Sequence, residues 1–211
     1  MATKQREAKR QSLYSVHPSV VMVQKWVETL PAQTGRSLDE WLQLISTSGP
    51  ASEKECRDWL KSEYKLGANS AWWLAERAAG KGGEDSDPGM YLQAADVYVR
   101  EMFAGSKAAL RPLYDELLKL SLGMAADVKA CPCKTIVPIY RRHVIAQIKP
   151  ATRTRIDFGL ALGDTPVTGR LIETGGFAKK DRITHRIPIT SLAEIDDEVR
   201  RWLRFAYDRD V

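Results

Sequence analysis

The stretch Ala151–Leu162, ATRTRIDFGLAL, decides how this chain is read: Ile156, Phe158, Leu160 and Leu162 are apolar, while Arg153, Arg155 and Asp157 occupy the other parity. A period of two with one apolar side predicts a half-buried β-strand over Arg153 to Leu162 whose second face carries arginine. The surrounding segments follow the same period. Thr135 to Ile139, His143 to Ile148, Gly169 to Ile172 and Ile183 to Ile189 read as further strands, separated by Pro150, Gly163-Asp164 and Gly175-Gly176. Together they predict a mainly antiparallel sheet of about four to five strands. Ser191 and Glu194 have capping-box spacing ahead of Ile195, Val199, Trp202, Leu203 and Ala206, so a last helix is expected to help cover one sheet face. By parity Thr184 and Arg186 join Arg153, Arg155 and Asp157 on the other face.

Upstream of Lys134 the apolar period is close to 3.6. A first helix follows His17-Pro18, aligns Val20, Val23, Val27 and Leu30, and is expected to end at Pro31. Two more begin at the capping-box spacings Ser37 to Glu40 and Ser52 to Glu55, and a fourth runs from about Asn69 to Ala78. Five of the six tryptophans (Trp26, Trp41, Trp59, Trp72 and Trp73) lie in this segment, as a small helical core requires. Trp72 and Trp73 are neighbours and cannot both face inward, so the pair is expected to present one ring to a partner or a second copy. Two further helices are expected from Met90 to Phe103 and through Leu110 to Gly123, with Pro112 in the first turn of the latter.

The fold class is therefore α+β, a small all-α N-terminal module followed by an α+β module. The expected divisions are a basic mobile tail over residues 1–12, the helical module over 13–80, a polar glycine-rich linker over 81–89 and the α+β module over 90–211. Charge separates the same pieces. Residues 1–12 carry +3, residues 13–87 carry −3 and residues 88–211 carry +5, and within 134–190 eleven Lys or Arg face four Asp or Glu. Positive charge concentrated on the sheet region points to an anionic partner.

Several classes are disfavoured. No run approaches the ~20 apolar residues of a membrane-spanning helix, and the start MATKQREAKRQ lacks the apolar core of a secretory signal, so a cytoplasmic address is expected. Three cysteines do not suggest a disulfide framework, and no His, Cys and carboxylate set has metal-ligand spacing. Phosphate-loop, dinucleotide and nucleophile-elbow motifs are all missing, so neither a catalytic residue nor a cofactor is expected.

Two segments resemble known families. MVQKWVETLPAQTGRSLDEWLQLI with DWLKSEYKLGANSAWWLA, within residues ~15–79, resembles a bacterial family catalogued as domain of unknown function 4287. PCKT, TRTRIDFGLAL, ITHRI and EIDDEVRRWLRFAY, within residues ~110–208, resemble domain of unknown function 5655. The resemblance implies architecture: a helical module followed by an α+β module in a bacterial cytoplasmic protein of uncharacterised activity.

The candidate anion site is Arg153, Arg155, His185 and Arg186 with Lys134, because guanidinium groups bind phosphate or carboxylate bidentately. The competing arrangement is a cross-strand ion pair in which Asp157 neutralises one arginine. His185 shares the parity of Ile183, Ile187 and Ile189 and is as well read as a hydrogen-bonded core histidine. The pair Glu53 to Tyr64 and Asn69 to Ala79 has helix-turn-helix lengths, but its acidity and its tryptophans favour simple helix packing. The leading expectation is a non-enzymatic module binding nucleic acid or a small anionic ligand. The alternative is a protein-interaction or assembly module using Trp72 or Trp73, and a small-molecule enzyme comes last. The sequence leaves the oligomeric state open.

Overall fold

A computed structural model describes residues 12–211, so the basic tail expected over 1–12 lies outside the described residues except for Ser12. The chain forms two compact units, and the division falls after Ala94. The segment 81–89 belongs with the helices before it, where Ser86 accepts a hydrogen bond from Arg77. Residues 12–15 belong instead with Ala95–Val211. The Ser15 N–H donates to the Ala130 carbonyl at 2.9 Å, and the Tyr14 and Tyr114 hydroxyls lie 3.0 Å apart.

The helical unit contains α1 (Pro18–Thr34), α2 (Leu38–Ser48), α3 (Glu53–Tyr64) and α4 (Ala68–Ala78). The Ser37–Glu40 capping box is complete, and the Ser52 hydroxyl accepts from the Glu55 N–H. Pro31 does not end α1 as expected. The helix continues to Thr34 and closes at Gly35, whose φ of 78° only glycine adopts without strain and whose N–H donates to the Pro31 carbonyl. A proline in the last turn removes one backbone donor and leaves the final residues of the helix intact. Trp41, Ile45, Leu60, Trp73 and Leu74 form the core. Trp26 meets Trp73 edge-on at 4.9 Å, and Tyr64 receives Trp41 and Trp59 edge-on at 5.2 and 5.0 Å.

The chain continues through α5 (Pro88–Met102), a short 3-10 turn at Gly105–Leu110 and α6 (Arg111–Leu122), with Pro112 in the first turn as expected. The sheet holds β1 (Lys129–Ala130), β2 (Val137–Tyr140), β3 (Val144–Pro150), β4 (Ile156–Leu160), β5 (Ile172–Glu173) and β6 (His185–Ile189). Its six strands run antiparallel in the order β1-β2-β3-β4-β6-β5. The strand unforeseen in the sequence is β1, two residues long and without a readable period. Along the register, Ile148, Phe158 and Ile187 form one row and Pro150, Ile156 and Ile189 the next. All six are buried, and α6 and α7 (Asp197–Asp208) pack against the same sheet.

Three local expectations are corrected. β4 begins at Ile156, because residues 151–155 form the turn from β3, in which the Ala151 and Thr152 N–H groups donate to the Arg155 carbonyl. Thr184 is buried ahead of β6, its hydroxyl accepting from the Leu162 N–H, and so does not stand on the open face. The Ser191–Glu194 box caps a 3-10 turn at Leu192–Glu194, and α7 starts later with Asp196 as its N-cap. No helix among the described residues is long and apolar enough to cross a membrane.

The end of α7 is tied to the turn between β2 and β3 by one carboxylate. Asp210, 3% exposed, accepts from the Arg142 and His143 N–H groups, each at 2.9 Å, and from Arg182. It also lies 2.8 Å from His143 Nδ1. Burial alone would push its carboxyl up, but these hydrogen bonds and the Arg182 charge outweigh burial and hold it below the usual aspartate range. Asp210→Asn should lower stability by about 2 kcal/mol, the scale of hydrogen bonds to a charged group. Because the folded pKa is depressed, the contribution is complete above the unfolded value of about 3.9 and fades as pH falls through the folded one. Urea midpoints should therefore separate the two proteins at pH 7 and draw together in strong acid.

Candidate anion site at one end of the sheet

On the open face of the sheet, Lys149, Asp157 and Pro188 stand side by side, followed by Gln147, Gly159 and Arg186. A Cβ on Gly159 would lie 2.7 Å from both Gln147 Cγ and Ile183 Cγ2, so glycine lets neighbouring side chains close over the strand. Asp157 is the electrostatic centre of this face. Its Oδ1 is 2.9 Å from Arg155 Nε and 3.2 Å from Arg186 Nη1, whereas Lys149, its direct cross-strand partner, makes no ion pair with it. The competing arrangement weighed from the sequence is therefore present, and one carboxylate serves two arginines.

The pairing is incomplete at Arg155. Its Nε is buried and, although close to Asp157, is not aligned for a hydrogen bond. Its two Nη groups have no acceptor among the described residues. Arg153 is exposed on the turn between β3 and β4. Both sit at the sheet end where β3 finishes with Lys149-Pro150 and β4 begins opposite.

That end also contains a cleft of about 440 Å³, lined by Lys107, Lys134, Lys149 and Glu101 together with Ser106 and Thr135. Three elements deliver the lysines. Lys149 projects from β3, Lys134 precedes β2, and Lys107 lies on the Gly105–Leu110 turn with its Nζ donating to the Pro150 carbonyl at 2.8 Å. Lys134 Nζ stands 6.0 Å from the centre of the Tyr98 ring. None of the three makes an ion pair among the described residues.

The five residues singled out from sequence thus divide. Lys134, Arg153 and Arg155 come together at one sheet end, and Arg186 stands deeper on the same face, held by Asp157. His185 does not belong to the site. It is 2% exposed on the helix-covered face, with Nδ1 2.8 Å from the Thr184 hydroxyl, because adjacent strand residues face opposite ways. Lys149 and Lys107 escaped the sequence reading. The parity that places Asp157 on the open face also places Lys149 there, but nothing in the sequence connects Lys107 to the sheet.

Elsewhere, burial pushes the Cys131 thiol up to about 12, which keeps it protonated at neutral pH. No group of three or more His, Cys, Asp or Glu side chains among the described residues could hold a metal ion.

These features define an α+β protein whose C-terminal unit is a six-stranded antiparallel sheet packed against α6 and α7, with lysine and arginine gathered at one end. Residues 99–210, more than half of the chain, match the family described as Domain of unknown function (DUF5655), and the chain belongs to that family. Residues 22–78 match Domain of unknown function (DUF4287). No curated protein and no solved structure matches the chain.

The tryptophan pair on α4 is resolved as well. Trp73 is 7% exposed, edge-on to Trp26 and covered by Arg77 at 4.9 Å, so it cannot meet a partner; Trp72 is 47% exposed. Trp73→Ala should cost about 3 kcal/mol or more of stability, as for other large core truncations, and Trp72→Ala less than about 1 kcal/mol. Thermal unfolding of the two variants checks the difference.

Proposed function

We propose that the C-terminal unit is a non-enzymatic binding module that takes an anionic partner at the cationic end of its sheet. The observation that most supports this is the charge imbalance there. Lys107, Lys134 and Lys149 share a cleft with the single carboxylate of Glu101, and the Nη groups of Arg155 are without acceptors among the described residues. Like charges held together with too few counter-charges repel one another. A bound anion relieves that repulsion, and the field of such a cluster draws anions in.

A labelled single strand, a duplex and an RNA of the same sequence, together with inorganic pyrophosphate, make a suitable probe set at low salt. Saturable binding to at least one is expected. It should weaken as salt rises and fall about tenfold or more in Arg155→Ala/Lys149→Ala. Absence of saturable binding to all four, or binding indifferent to both salt and the substitutions, would overturn the reading.

A second reading, a protein partner or a second copy docked on the helical unit, now rests on Trp72 alone. Its support is the exposure of a large indole.

A further inference from the structure

Resting on the reading just given, we infer that the three-lysine cleft takes a doubly charged phosphoryl group carried by a small molecule, rather than the backbone of a nucleic acid. Charge supplies the first argument. Lys107, Lys134 and Lys149 against Glu101 leave the cleft at +2, which matches the charge of about −2 on a terminal phosphate group near neutral pH. A phosphodiester backbone brings one charge per phosphate and spreads its charges along a strand.

Side-chain chemistry supplies the second. Ammonium groups act on phosphate as compact point charges, and Ser106 and Thr135, residue types whose hydroxyls can donate, line the same cleft. Lys107 is already oriented by its bond to the Pro150 carbonyl and keeps two N–H donors for a ligand.

Size and surroundings supply the third. About 440 Å³ falls within the range of small-molecule sites. No aromatic side chain lines the cleft itself, and the single ring beside it, Tyr98, lies 6.0 Å from Lys134 Nζ, which falls short of the succession of stacking platforms on which single-strand binders rely. The Arg155 Nη groups and exposed Arg153 lie at the same sheet end and would meet the remainder of the ligand if that too is anionic.

Calorimetric titration with inorganic pyrophosphate, beside anisotropy titration with a labelled 12-nucleotide single strand, tests this on the full chain. Lys134→Ala and Lys149→Ala are compared with Lys119→Ala, which alters an exposed α6 lysine outside the cleft. The expected result is saturable pyrophosphate binding, weakened about tenfold by each cleft substitution and unchanged by Lys119→Ala, with the single strand weaker than pyrophosphate. Single-strand binding without pyrophosphate binding would overturn this inference and leave the anion-binding reading standing. Pyrophosphate binding that survives both cleft substitutions would overturn the placement in the lysine cleft. Failure to bind either would count against both. Unfolding curves that superimpose for all four proteins show that any loss is one of binding.

Discussion

Phe158 lies fully buried at the centre of the sheet, level with Ile148 on one side and Ile187 on the other, and the C-terminal unit depends on that row staying in register. A slip of one residue along β4 would move Ile156, Phe158 and Leu160 to the open face and carry Asp157 into the core. Burying a side chain of this size contributes roughly 1.5–3 kcal/mol, so the register is enforced several times over along the strand. The same alternation that buries Phe158 leaves Lys149 and Asp157 on the open face. It also sends His185 inward while its neighbour Arg186 stays out. The charged face is thus a geometrical consequence of the hydrophobic one.

Electrostatics on that face follow from the shortage of carboxylates. Asp157 meets two arginines and leaves Lys149 unpaired although Lys149 is its direct cross-strand partner on β3. One residue past Lys149, at Pro150, β3 ends, and Lys134 and Lys107 arrive from segments outside the strands. The cluster is assembled by topology: residues 107, 134 and 149 are far apart in the chain and meet only because β2 and β3 pair and the Gly105–Leu110 turn lies against Pro150.

How much of this could be read from the chain depends on whether the signal is periodic or topological. The middle of the strand expected over Arg153 to Leu162, the N-caps at Ser37 and Ser52 and the first-turn proline Pro112 are local signals, and each is where its residues imply. Errors arise where a local signal has two uses. The Ser191–Glu194 pattern closes a 3-10 turn because Asp196, two residues on, caps the longer helix better with bonds to two backbone N–H groups. The TRTR segment continues the strand alternation on paper, yet Ala151 and Arg155 close a turn on each other and take Arg153 out of the strand. Lys107 could not have been found, because its place beside the sheet is set by long-range packing that leaves no pattern near residue 107.

The rest of the unit shows what the lysine cleft lacks. Arg170 holds Asp196 through two hydrogen bonds and Glu198 through a third, Arg141 holds Asp127, and Arg182 shares the buried carboxylate of Asp210. These pairs fasten loops and the end of α7 to the sheet, and several are only partly exposed. Carboxylates are therefore placed beside cations wherever a joint needs closing. At the far end of β3 three ammonium groups share one cleft with Glu101 and serve no such joint, apart from the single bond of Lys107 to the chain. Three ammonium groups held near one another with a single carboxylate among them repel, and the joints elsewhere in the unit avoid that repulsion by pairing each cation with an acid.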